Sequence, residues 1–226
     1  MLFPEVKKVT YKISSIYYVT CQIQLKSHPA LDISAFQKLV KEKYPQLSEA
    51  PDEKWKISIS GNCLSLSTHA YQGWEDFRDK LQNLLPLLVE KQKLDHFTMV
   101  SLRYVYIFEP SKLGLKGTAW KHLIKPGVLG VLGNDDMSDN IENLENISLI
   151  KLPGPNIILK TDVKTIRKTE GGELCLMMDF DLTEKRERSL NEITAALNHL
   201  NAGLTRIFRW GIKTRLHNAL EPEKLP

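Results

Sequence analysis

Val100-Ser101-Leu102-Arg103-Tyr104-Val105-Tyr106-Ile107-Phe108 is an almost uninterrupted apolar, β-branched and aromatic run with one arginine set inside it. Such residues fit a pleated, half-buried surface, so the run reads as a strand buried on at least one face. A guanidinium in that setting is costly unless something pairs it. Arg103 therefore either meets a carboxylate or reaches a surface where something binds.

Working upstream, Ser14 to Lys26 alternates at Val19, Cys21, Ile23 and Leu25, which predicts a half-buried strand. Ile33, Phe36, Leu39 and Val40 then recur at helical spacing, with Asp32 placed to cap and Pro45 to close the segment. Lys54 to Thr68 reads as a hairpin turning at Ser60-Gly61-Asn62. Between Gly73 and Lys93, Trp74, Phe77, Leu81, Leu84, Leu85 and Leu88 form one apolar stripe of a helix. Pro86 lies inside it and is expected to kink or break it. The arginine-bearing strand follows and ends at Pro110.

Downstream, Thr118 to Lys125 predicts a short helix, and the acidic, Asn-rich stretch Gly130 to Asn146 a loop. Ile147 to Lys151, Ile157 to Lys168 and Gly172 to Thr183 read as strands. From Ser189 to about Leu220 the pattern predicts one long helix, with Ser189 and Glu192 spaced as a capping box. Helices alternate with hairpins, not with single crossover strands. The order therefore predicts an α+β fold, an antiparallel sheet with helices packed on one face, and argues against a doubly wound nucleotide fold. An N-terminal α+β half, 1–110, and a C-terminal half, 111–226, are expected to pack as one unit. They are open to reading as diverged β-α-β-β-α copies.

The chain has 226 residues, 42% hydrophobic and 26% charged, which is ordinary globular composition. Its formal charge of +4 tilts toward anionic partners without demanding one. Cys21, Cys63 and Cys175 are far apart, lack CxxC spacing and sit in strand-like contexts, so buried reduced thiols are expected. The start, Met1 to Lys8, lacks a basic region followed by an apolar one, and no run approaches the ~18 apolar residues of a spanning helix. A soluble, cytoplasmic protein with no membrane contact is the expectation.

The usual phosphate-loop, dinucleotide, zinc-protease, serine-hydrolase and calcium-loop motifs are absent. Gly127, Gly130 and Gly133 have triad spacing but no lysine, so they read as a flexible apolar loop. No two of the six histidines stand at metal-ligand spacing with a third ligand beside them. No cofactor or metal is expected. Asp179 and Asp181, two apart on a strand, point the same way and have the chemistry to hold a cation or split their pKa values. The plainer reading is that they mark the strand's exit into a charged run; a middle reading has one of them neutralise Arg103 across the sheet. In the last helix Arg206, Arg209 and Lys213, with Arg215 beyond, form a basic face opposite Ile193, Leu197, Leu200 and Leu204. That face suits phosphates, and equally suits a solvated helix end with cations complementing its dipole. Tyr71, Trp74 and Trp210 look exposed and suited to docking.

Several segments together resemble a sporadically distributed family of uncharacterised bacterial proteins of similar length. Val19-Thr20-Cys21-Gln22-Ile23 is similar to its opening Val-x-Cys-Gln-Leu strand. Leu64-Ser65-Leu66-Ser67-Thr68 followed by Tyr71, Trp74 and Phe77 is similar to its strand and Tyr-x-x-Trp-x-x-Phe helix start. Leu102-Arg103-Tyr104-Val105 is similar to its Leu-Arg-Tyr-Ile core, Asp179-Phe180-Asp181 to its late Asp-x-Asp strand, and Leu200 to Phe208 to its terminal helix. The chain departs from the pattern at Tyr106, where the family usually has Asn, and near Tyr18, often acidic there. The family's scattered distribution implies mobile or defence-associated genes.

Three readings of function follow. The first is a non-enzymatic interaction or regulatory subunit of a bacterial complex, self-associating or bound to a protein partner through Tyr71, Trp74 and Trp210. The second is a nucleic-acid-binding module using the basic last helix and the basic strand Lys160 to Lys168. The third, an enzyme built on Asp179, Asp181 and Arg103, ranks below both.

Overall fold

The computed structural model describes residues 3–7, 9–26, 54–92, 96–154, 156–167 and 172–224, together with 34, 38–40 and 42. Of the helix expected after Asp32, only Ser34, Lys38, Leu39, Val40 and Glu42 are described, all helical; Asp32, Ile33, Phe36 and Pro45 lie outside the described residues.

The strand that carries Arg103 is the middle of the molecule. It runs from His96 to Phe108 as β5. With β2 (Ile16–Leu25), β3 (Trp55–Ser60), β4 (Cys63–Thr68), β6 (Glu145–Lys151), β7 (Ile157–Ile166) and β8 (Cys175–Glu184), it forms an antiparallel sheet in the order β3-β4-β2-β5-β8-β7-β6. A short β9 (Arg188–Ser189) continues the pairing along β5 beyond β8. A separate ribbon joins the two ends of the chain, β1 (Val9–Tyr11) against β10 (Pro222–Lys224).

Period-two alternation gives the sheet two unlike faces. On β5, Val100, Leu102, Tyr104, Tyr106 and Phe108 are buried beneath helices, and Cys21, Ile23, Leu64, Leu66, Phe180 and Leu182 extend that layer across the neighbouring strands. The covering helices are α1 (Trp74–Gln92) and α3 (Ile193–Gly211). Helix α3 buries Ile193, Leu197, Leu200, Leu204, Ile207 and Phe208, spacings that keep one stripe against the sheet. Each such leucine contributes about 2 kcal/mol by leaving water. The fold is therefore α+β, with helices on one face of an antiparallel sheet.

The two halves meet by β5 pairing with β8, so both contribute to one sheet and one apolar core. Their connections differ. The C-terminal strands β6, β7 and β8 form a simple meander, whereas β2 lies between β4 and β5. That difference gives the idea of two diverged copies no support.

Three local expectations are corrected. Of the kink or break expected at Pro86, the break does not occur: helix α1 runs on through it, with Leu81, Leu84, Leu85 and Leu87 buried on either side. The segment from Thr118 to Asn146 is neither a helix followed by a loop nor patternless. It is a chain of tight turns: 3-10 turns at Trp120–His122, Gly130–Gly133 and Ser138–Asn140, and a one-turn α2 at Pro126–Leu129. Strand β6 already begins at Glu145. The glycine triad is no flexible loop, since Val128, Leu129 and Leu132 are buried and a Cβ on Gly133 would sit 2.8 Å from the Cα of Pro126. Gly133→Ala is expected to cost about 2 kcal/mol by overpacking that corner, readable as a lowered urea midpoint.

The third correction concerns the C-terminal helix. The capping box forms as expected, with the Asn191 N–H donating to Ser189 Oγ at 3.3 Å and the Ser189 N–H to Glu192 Oε2 at 3.2 Å. Yet the helix stops at Gly211. Ile212 turns extended and bridges Ile124, while the Lys125 N–H donates to Gly211 O at 2.8 Å and the Lys213 N–H to Leu123 O at 2.7 Å. Those bonds satisfy backbone groups that another helical turn would otherwise use. A short α4 (Thr214–Ala219) follows on a new course.

Candidate nucleic-acid interface

Breaking the last helix has a consequence for its basic residues. Lys213 no longer continues the face of Arg206 and Arg209. It stands at the corner between α3 and α4, with Nζ donating to the carbonyl of Lys121 at 2.5 Å. A carbonyl holds the ammonium in place without cancelling its charge.

Around that corner the chain folds a cleft of about 1340 Å3. One wall is the end of α3 with Arg209 and Trp210. The second is the start of α4 with Arg215 and His217. The third is the extended segment carrying His122 and Lys125, and the fourth is the N-terminal arm with Lys7. The arm is held there because β1 pairs with β10, which follows α4. Tyr11 adds to this with its hydroxyl 2.8 Å from Nδ1 of His217. Burial, and then the charge of Arg209, lower the pKa of His217.

Among the described residues, five lysine or arginine side chains line this cleft and no carboxylate does. Lys7, Lys125, Arg209 and Arg215 make no ion pair with a described acid. Three nearby acids pair elsewhere: Glu5 lies 3.7 Å from Arg206, Glu223 3.8 Å from Lys12, and Asp135 3.0 Å from Lys121. Cations gathered without counter-charges raise the local potential and favour an anion entering. Trp210 supplies a flat apolar surface at the same place. Phe3 meets its ring edge-on at 5.0 Å, and Lys125 Nζ lies 5.1 Å from the ring centre.

Arg103 and the aspartates are on the opposite face of the sheet, which no helix covers among the described residues. Arg103 stands across from Asp181 in register but bonds diagonally to Asp179, with Nε donating to Oδ1 at 2.8 Å and Nη2 to Oδ2. Asp179 is buried and the guanidinium 41% exposed, so the pair is dry at one end and wet at the other. Lys160 faces Asp181 and Lys164 lies 3.5 Å from Asp162, continuing an alternating charge pattern across β5, β8 and β7. The basic strand that the sequence offered for nucleic acid is therefore interleaved with acids. No cluster of His, Cys, Asp or Glu among the described residues is arranged to hold a metal ion.

Burial raises the pKa of Asp181, opposed by the charge of Arg103 and helped by that of Asp179. The folded chain thus holds this proton more tightly than the unfolded chain. Its charged form costs stability as pH rises from the ordinary carboxylate value, about 3.9, toward the raised one. Asp181→Asn is expected to raise the melting temperature at neutral pH, with the gain disappearing in acid. An equal gain at both extremes of a pH series of thermal melts would exclude titration of Asp181 as its origin.

The aromatics proposed for docking are differently placed. Trp74 is 8% exposed, stacked on Phe77, with Nε1 donating to Asn198 Oδ1 at 2.8 Å. That overturns its expected exposure. Tyr71 is half-buried, its hydroxyl 3.0 Å from that of Tyr104, which donates to Asn201 Oδ1 at 2.9 Å. Burial pushes the Tyr71 phenol up to about 12. These side chains tie α1, β5 and α3 together. Trp210, by contrast, lines the basic cleft. Cys21 and Cys175 are buried, Cys63 is partly buried, and none of the three is in a disulfide; burial raises the pKa of Cys21 and of Cys63, away from reactive thiolate.

Sequence reading picked out Arg209, Lys213, Arg215 and Trp210 but not Lys7, Lys125, His122 or His217. The latter come from three separate segments, and no local spacing marks residues that only tertiary pairing brings together. Among the described residues no helix is long and apolar enough to cross a membrane. Comparison with protein-family models, with curated proteins and with solved structures finds no match to this chain.

Proposed function

We propose that this chain is a nucleic-acid-binding module whose phosphate-binding site is the cleft between the N-terminal arm and the ends of α3 and α4. The observation that carries the reading is the convergence of Lys7, Lys125, Arg209, Lys213 and Arg215 on one cleft with no carboxylate among its described lining residues. Phosphate backbones release counterions when lysine and arginine neutralise them, which favours binding at low salt. Trp210 gives a base a surface to stack on, worth about 1–3 kcal/mol where it is used. The open sheet face is a weaker candidate because its cations alternate with acids. Placement within the sporadically distributed bacterial family stays part of this proposal, resting on Leu102-Arg103-Tyr104-Val105 and the Tyr71, Trp74, Phe77 spacing. In that setting the module is read as a subunit of a bacterial, defence-associated complex acting in the cytoplasm.

Anisotropy titrations of labelled single-stranded and duplex oligonucleotides over a salt series test the reading. Affinity is expected to fall steeply with salt. Arg209→Gln and Lys213→Gln are each expected to flatten the log–log slope by about 1 and weaken binding severalfold. A binding constant indifferent to salt, or to both substitutions, would remove the proposal.

A further inference from the structure

Strand β6 is an edge. Its partner is β7 on one side, and no described residue outside β7 hydrogen-bonds its backbone. Unpaired edges template further pairing, and natural proteins usually blunt them with inward charges, bulges or coverage. This one instead presents Ile147 at 55% and Leu149 at 73% exposure, both on the helix-free face, with Glu145 and Lys151 at its two ends.

The sequence of the strand is self-complementary. A two-fold axis perpendicular to the sheet requires directly opposed residues to share a face, so residue numbers across the pair must sum to an even value. The register centred on Ser148 satisfies this and uses the whole strand. It sets Glu145 against the second copy's Lys151, and Ile147 against the second copy's Leu149. Symmetry repeats both pairs. On the other face Asn146 meets Ile150, and Ser148 meets itself. Shifting the centre to either neighbouring allowed position separates the opposite charges and leaves strand ends unpaired.

We propose that this edge is the docking site for a second copy of the chain, joined β6 to β6 antiparallel into one continuous sheet. The two exposed apolar side chains of each copy become a four-residue cluster on the helix-free face, flanked by two Glu145–Lys151 pairs. Opposed apolar and opposite-charge pairs are the units that stabilise neighbouring strands. The surface is independent of the basic cleft, so its test does not depend on nucleic-acid binding.

Sedimentation velocity of the full chain over a concentration series is the test. A monomer–dimer equilibrium is expected, with a dissociation constant on the order of 10 µM for an interface this small. Leu149→Lys, at a position open to solvent, is expected to raise that constant by about tenfold or more because both symmetric pairs are lost. The charges test the register. Lys151→Glu and Glu145→Lys each place like charges across the pair and weaken the dimer, while the double exchange restores it. Thermal melts of each variant check that the fold is kept. A chain that stays monomeric into the high micromolar range overturns the proposal. So does a dimer that Leu149→Lys leaves intact, or a double exchange that fails to recover what the single ones lose.

Discussion

Arg103→Ala is expected to lower unfolding free energy by about 3 kcal/mol, among the largest losses any single polar substitution will produce in this chain. The reason is asymmetric burial. Asp179 is 8% exposed and would keep its carboxylate in the sheet with no cation against it, whereas Arg103 is 41% exposed. Removing the aspartate instead frees a guanidinium that can turn to water. Asp179→Ala should therefore cost less, about 1 kcal/mol. The double variant should resemble Asp179→Ala, giving a coupling energy of about 3 kcal/mol in a cycle read by urea unfolding. Additive losses would mean that the bidentate contact contributes little and that Arg103 acts mainly through its packed stem.

Phe208→Ala is expected to cost about 4 kcal/mol. Phe208 is 5% exposed at the end of α3. Its ring stacks on Tyr106 with centroids 4.3 Å apart, and lies within 6.3 Å of Phe108 and 5.9 Å of Tyr11. It thus joins the central strand to the terminal ribbon through one helix end. Truncation leaves aromatic faces without partners, and rings cannot collapse easily into the void. Because Arg209 follows directly, the variant should also loosen the cleft wall and weaken oligonucleotide binding at temperatures where the fold persists. Phe208→Leu keeps most of the volume and should recover more than half of the stability, measured by chemical denaturation.

Legibility followed the range of the interactions. Strand β5, the hairpin β3–β4 and the start of α3 were readable because period-two alternation, turn residues and a capping box act over a few neighbours. The sequence left Arg103 either paired or reaching a binding surface, with Asp179 or Asp181 as partner one of the readings. Which of them bonds depends on the register between β5 and β8, and nothing near Arg103 encodes that. The break at Ile212 was invisible for the same reason: backbone groups of Leu123 and Lys125 replace the helical bonds, and they come from far upstream. Trp74 was misread as exposed because a large aromatic at a helix start fits a surface or a core equally well. Its bond to Asn198 decides the matter. The cleft was half legible, since Arg209 and Lys213 stand out as a local cluster while Lys7 and Lys125 do not.

The placement of β5 also sets how the chain must fold as it is made. One side of this strand waits for β2, already synthesised, but the other is covered by β8, which begins at Cys175. Until that segment emerges from the ribosome, the central strand of the sheet carries an open edge. Contacts of such high sequence separation slow the search for the native state and lengthen the time in which nascent chains can pair wrongly with one another. Neither half is then a foldable fragment: a chain ending near Pro110 should aggregate, whereas supplying the remainder as a separate polypeptide during refolding should rescue it.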